Sequence, residues 1–127
     1  MIAIDLKNRL TFAIGIPIAS VTATANQTGI DLKGYIGNVL AVLHCGAATA
    51  GTNPTMNVTI EDSADNSTFA AVSGYAFTQV TTTASLQQLN VDTRLVRRYI
   101  RFVVTIGGTS SPAFPMSGHI AGIKQII

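Results

Sequence analysis

Three carboxylates and four guanidinium groups are the side chains whose spacing invites a chemical role. Glu61, Asp62 and Asp65 stand in one short stretch. Carboxylates this close can hold calcium, which takes several carboxylate and carbonyl oxygens. They can also build a turn, because Asp, Asn and Ser accept hydrogen bonds from nearby backbone amides. The run Asp62-Ser63-Ala64-Asp65-Asn66-Ser67 matches no calcium-loop spacing, so turn chemistry is the reading and no metal is expected. Arg94, Arg97, Arg98 and Arg101 gather half of the chain's 8 basic residues. Such a group can face phosphate, end a strand in solvent, or pair with carboxylates of another subunit. With no Trp and sparse flanking aromatics, a nucleic-acid face is disfavoured. The chain has only 6 acidic residues, and Asp92 beside the cluster cannot serve four arginines. Partner carboxylates are therefore expected for Arg94, Arg97 and Arg101, whose planar forks suit bidentate pairing.

The other reactive residue types point away from catalysis. His44 and His119 are the only histidines, and neither has a neighbouring His or Cys at metal-ligand spacing. His44, in an apolar run, reads as a core side chain, and His119 as a surface or edge residue. Cys45 is the sole cysteine and its neighbours are apolar, which predicts a buried, inert thiol and no internal disulfide. No phosphate-binding glycine loop or nucleophile elbow is present. No enzyme activity and no cofactor are expected. Asn26, Asn57 and Asn66 are each followed two residues later by Thr, a pattern that matters only in a secreted eukaryotic protein.

The elements that must position these residues read as strands. Met56, Val58 and Ile60 alternate with Asn57, Thr59 and Glu61, the period of a strand with one buried face. The Asp-Ser-Asn turn follows, and Thr68 and Phe69 begin the return strand of a hairpin. A lone hairpin is marginal in water, so other strands must cover it. Residues 37–48 are apolar on alternate positions of both faces, which predicts a strand covered on both sides. Residues 49–54 read as a loop in which Pro54 bars further pairing. Ile100, Phe102, Val104 and Ile106 share one face of a second clear strand. Residues 107–115, with Pro112 and Pro115, read as a loop before a closing strand. Eight to ten short strands separated by Gly, Pro, Asn and Ser turns predict an all-β, single-domain antiparallel β-sandwich. A jelly roll is one way to arrange eight of them.

The totals agree with one domain. A chain of 127 residues can bury about two thirds of its unfolded surface. Charged residues are only 11%, far below the ~25% usual for a soluble domain. That low charge suits a protein largely covered by partners. Residues 1–18 are apolar but irregular, and the domain proper is expected over 19–127. Ile2, Ile4, Leu6, Phe12, Ile14 and Ile16 make the first segment an outer strand or an arm against a neighbour. Lys7 and Arg9 before an apolar run loosely imitate a secretory leader, but Asp5, Gly15 and Pro17 interrupt the pattern. No apolar run approaches the ~20 residues of a membrane span, so no membrane partner is expected. The partner contacts thus fall on Ile2, Ile4, Leu6, Phe12, Arg94, Arg97 and Arg101.

Taken in order, several of these stretches have a family echo. A Thr/Ala-rich strand precedes Ile30-Asp31-Leu32-Lys33-Gly34-Tyr35 and an apolar strand. Then come Ala50-Gly51-Thr52-Asn53, Val58-Thr59-Ile60-Glu61-Asp62-Ser63 with Asp65-Asn66-Ser67-Thr68-Phe69, and Arg98-Tyr99-Ile100-Arg101-Phe102-Val103-Val104-Thr105. Over residues 20–124 the chain resembles small structural head proteins of tailed bacteriophages, in particular capsid decoration (cement) proteins. The resemblance implies a non-enzymatic β-sandwich or jelly-roll-like domain on the outer capsid surface of the virion. It also implies a homo-oligomer, commonly a trimer, bridging major capsid protein subunits. Two rivals stand beside it: a phage adaptor or tail component, and a carbohydrate-binding β-sandwich module. The last would need exposed aromatics to stack sugars, and the chain has no Trp and 3 Tyr.

Overall fold

The computed structural model describes residues 3 and 5–125; Ile2 and Ile4 lie outside the described residues. Asp5 caps a single helical turn, α1 (Leu6–Arg9), by accepting from the Asn8 amide. Eight strands follow: β1 (Leu10–Val21), β2 (Ala25–Asn26), β3 (Ile30–Asp31), β4 (Tyr35–Cys45), β5 (Ala50–Ser63), β6 (Ala70–Ala76), β7 (Ser85–Val91) and β8 (Tyr99–Lys124). The hairpin is β5 and β6, and its turn is the Asp-Ser-Asn run. Met56, Val58 and Ile60 are all buried, as their alternation requires.

β8 is the spine. Its first half pairs with β5 on one edge and with β2 and β3 on the other. Its second half pairs with β4 on one edge and β1 on the other. β6 lies outside β5, and β7 lies outside β4. All these pairings are antiparallel, so the strands form two groups, β1-β8-β4-β7 and β2/β3-β8-β5-β6. Sharing β8 joins the groups into one antiparallel sheet that is nearly barrel-shaped.

The two stretches that read as loops are corners inside β5 and β8. Gly108, Ser110 and Ser111 have φ of 108°, 60° and 53°, and Gly51 and Asn53 opposite them have 104° and 48°. The register slips between Ala50 and Thr52 and again between Thr52 and Thr55. Such bulges bend a strand and raise its twist. Here they carry β8 from one group into the other. Pro54 sits inside the second slip, where Thr52 pairs with Thr109 and Thr55 with Gly107. Its missing N–H therefore interrupts no ladder bond, which is how a proline survives in the middle of β5.

The inner faces meet in one apolar core. Val39, Ala41, Leu43 and Cys45 of β4 share it with Val58 and Ile60 of β5 and with Ile100, Phe102 and Val104 of β8. The Phe102 ring stacks on Phe77 with centroids 6.1 Å apart. The ring also lies against Gly15 of β1, where an added Cβ would collide with it. This contact packs the first strand of one group against the second group.

Two sequence expectations are corrected here. His44 is exposed, because the outer face of β4 is not covered: Leu40 and Val42 are only half-buried. The alternation of Leu10, Phe12, Ile14, Ile16 and Ile18 does not keep to one face. Register slips between Ile14 and Ile16 and again between Ile16 and Ala19 turn the strand over twice. Ile16 is 1% exposed while Phe12, Ile14 and Ile18 are 65%, 64% and 88% exposed. β1 also runs through the boundary expected at residue 18, so residues 10–18 pair within the sheet.

Phe102→Ala should lower stability by roughly 3–5 kcal/mol through lost transfer energy and the cavity left behind. Gly15→Ala should destabilise too, but much less once the Phe102 ring is gone. Urea denaturation of the single and double variants checks this; strictly additive losses would contradict the contact.

Candidate functional site

Antiparallel pairing brings the arginine cluster and the carboxylates together at one end of the β2/β3-β8-β5-β6 group. Glu61 of β5 lies directly across from Arg101 of β8. The Arg101 guanidinium donates from Nε and Nη2 to Glu61 Oε1 at 2.9 and 2.6 Å. It also lies 4.1 Å above the centre of the Phe69 ring. Arg97, in the link before β8, gives Asp62 its amide at 2.9 Å and its Nη2 at 2.7 Å. A further bond runs from Nη2 to the Asp62 carbonyl at 2.9 Å. Arg98 reaches Asp31 of β3 at 2.8 Å and stacks 5.0 Å above Tyr99. Arg94 pairs with Asp92 at 2.8 Å on the open surface.

The premise that the chain could not serve four arginines from its own carboxylates is therefore wrong. Each guanidinium has an intramolecular partner, drawn from β3, β5 or the end of β7. Sequence separation hid three of them, because Asp31, Glu61 and Asp62 reach the cluster only through the β3–β8 and β5–β8 registers. The arrangement stitches the link after β7 to β3 and β5. It leaves no bare cationic patch at Arg94, Arg97, Arg98 and Arg101.

These contacts set the carboxylate acidities. The Arg98 guanidinium, helped by the Lys33 amide, holds Asp31 down at about 2. The Thr68 and Ser67 amides and the Ser63 hydroxyl hold Asp65 at about 2, as the turn reading requires. Burial opposes ionisation of Asp62, but the Arg97 side chain and amide outweigh it and keep the carboxyl below its usual range. Cys45 is buried among apolar groups, and desolvation pushes its thiol up to about 11. That leaves it a poor nucleophile. Among the described residues, no three His, Cys, Asp or Glu side chains group to hold a metal ion.

A second surface is more distinctive. The outer face of β1-β8-β4-β7 is built in cross-strand rows. Ala121 lies between Phe12 and Leu40, and His119 between Ile14 and Val42. His44 stands next to Ser117 on one side and Leu86 on the other. Ile123 lies between Leu10 and Ile36. These rows hold no Asp, Glu, Lys or Arg. Of the expected contact residues, Phe12 belongs to this face. Leu6 is 57% exposed on α1. Ile14, expected in an outer strand or an arm against a neighbour, lies on this face too, and Ile36 and Leu86 were missed as surface residues. Alternation reports which positions share a face, and it cannot say which face the core will occupy.

The geometry defines an all-β, antiparallel fold with a spine strand. Known folds match it, although no family model and no curated protein sequence matches the chain. The exported protein XepA of PBSX superposes over 92% of this chain with a TM-score of 0.62 and 20% identity. The SPBc2 prophage-derived protein YomS covers 89% of this chain and 93% of its own, with a TM-score of 0.52 and 9% identity. VP2 of the infectious bursal disease virus subviral particle covers 89% with a TM-score of 0.56 and 15% identity. This chain spans 38% of the length of XepA and 32% of VP2. At these identities the likeness is one of fold.

Because Asp31 and Asp65 titrate lower in the folded chain than near the ordinary 3.8, they favour folding while ionised. That contribution is fully present above the unfolded value and disappears as pH falls towards 2. The thermal midpoint should be flat from about pH 7 to 5 and fall steadily below about pH 4. Asp65→Asn should flatten the acid limb; a midpoint that rises on acidification would contradict the assignment. Arg97→Gln, which strips Asp62 of its charged donor, should lower the thermal midpoint with the sheet content unchanged.

Proposed function

We propose that this chain is a structural protein of a tailed-bacteriophage virion, and within it a decoration protein of the capsid surface. On this reading it binds the outer face of the shell and bridges neighbouring major capsid subunits as a homo-oligomer. The observation that carries the reading is the strand order. We read the groups β1-β8-β4-β7 and β2/β3-β8-β5-β6, linked through a spine strand, as the two sheets of a jelly roll, an architecture of viral capsid domains and lectins. The likeness of fold to two prophage proteins and to a viral shell protein supports it. So does a surface poor in charge.

The proposed role is non-catalytic. A cement adds buried interface across subunit boundaries. Binding only the assembled shell stabilises that shell by mass action. A carbohydrate-binding role would need open aromatic platforms. Tyr99 and Phe69 each lie under a guanidinium, the Tyr75 hydroxyl accepts from the Asp92 amide, and Phe12 is the one fully open ring among the described residues, a single ring rather than a platform.

Electron microscopy and mass spectrometry of the source particle test the proposal. The expected result is density of this fold on the outside of the shell, and shells that withstand higher temperature when the chain is present. Density at the neck or tail would replace it with the adaptor or tail reading. Absence from the particle would sink both.

A further inference from the structure

The outer face of β1-β8-β4-β7 is more apolar than a lone domain needs. Phe12, Ile14, Ile18, Ile36, Leu86 and Ile123 are 45–88% exposed. Together they leave on the order of 600–800 Å² of apolar surface open to water, above a monomer's usual largest patch and close to one partner's share of a standard interface. The cross-strand rows are uncharged, so covering the face removes no formal charge from water. Such a face is also compatible with itself, since two copies brought together set no like charges against each other.

We propose that this face is where two copies of the chain pack, sheet against sheet, about a two-fold axis lying across the strands. The direction of the axis follows from the cations. Arg9 and Lys124 border the face at one end, beside Ile36 and Ile123. An axis along the strands would lay those cations on their own copies. An axis across the strands lays them over the opposite end, where His44 and Leu86 stand. The same operation sets Phe12 over Ile14 of the second copy and Leu40 over Val42 of the second copy. Face-to-face packing of two twisted sheets with interdigitating apolar side chains is the ordinary sandwich solution. An isologous contact of this kind closes at two copies.

Pairing of this face goes beyond the virion reading and does not rest on it. Light scattering of the purified full chain should give twice the 13.3 kDa chain mass. Phe12→Glu and Ile14→Glu should each return the chain to a single-chain mass with an unchanged far-ultraviolet spectrum. Thr59→Glu, on the exposed outer side of β5, should keep the double mass. A single-chain mass at every concentration, a mass of three chains, or glutamate variants that keep the double mass would each overturn the proposal. A single-chain protein that still decorates shells would overturn this inference and the homo-oligomer of the virion reading, and leave the capsid-surface role standing.

Discussion

Both halves of β8 are paired along both edges, and the other strands take their places from that. β1, β2 and β3 run down one edge, and β4 and β5 run down the other. β8 has 26 residues, and at the rise of an extended strand that is far longer than a domain of this size is wide. It fits only because it turns a corner. The left-handed residues at Gly108, Ser110 and Ser111, matched by Gly51 and Asn53, make that corner. The bend brings Phe102 over Gly15 and Phe77 and closes the core. Backbone geometry at the bulges and packing in the core are thus parts of one constraint.

The ion pairs act on the same frame. Glu61 and Arg101 face each other because β5 and β8 are in register, and the half-buried pair is shielded by Phe69. Asp62 accepts both the amide and the side chain of Arg97, so the link after β7 is tied to β5 before β8 begins. Pairs on the open surface contribute little, and Arg94–Asp92 is of that kind. The Arg97–Asp62 contact is different in kind, since Asp62 is only 8% exposed. Without its donors that carboxylate would be left buried and uncompensated.

The molecule is consequently lopsided. The four guanidinium–carboxylate pairs lie around the start of β8 and the elements next to it. The opposite group presents uncharged apolar rows and two histidines to solvent. A low overall charge therefore does not describe an evenly neutral surface. One end is charged and internally satisfied, and one face is uncharged and unsatisfied. The second is the part of the molecule that binding to another surface would change most.

Some of this was legible in residue order alone. The alternation of Met56, Val58 and Ile60, and of Ile100, Phe102 and Val104, determined strands and which of their positions share a face, because a period of two is local geometry. The Asp65 turn was equally local, since its donors lie two and three residues away. Pairing was not. The partners of Arg97, Arg98 and Arg101 stand 35, 67 and 40 residues off, and only the registers against β8 join them. The side of β1 that faces water was also beyond the pattern. One slipped residue at Gly15 inverts every side chain before it relative to Ile16. Proline and glycine at residues 49–54 and 107–115 marked departures from a straight strand. Whether such a departure is a loop or a corner within a strand depends on what lies across from it, and tertiary structure alone supplies that.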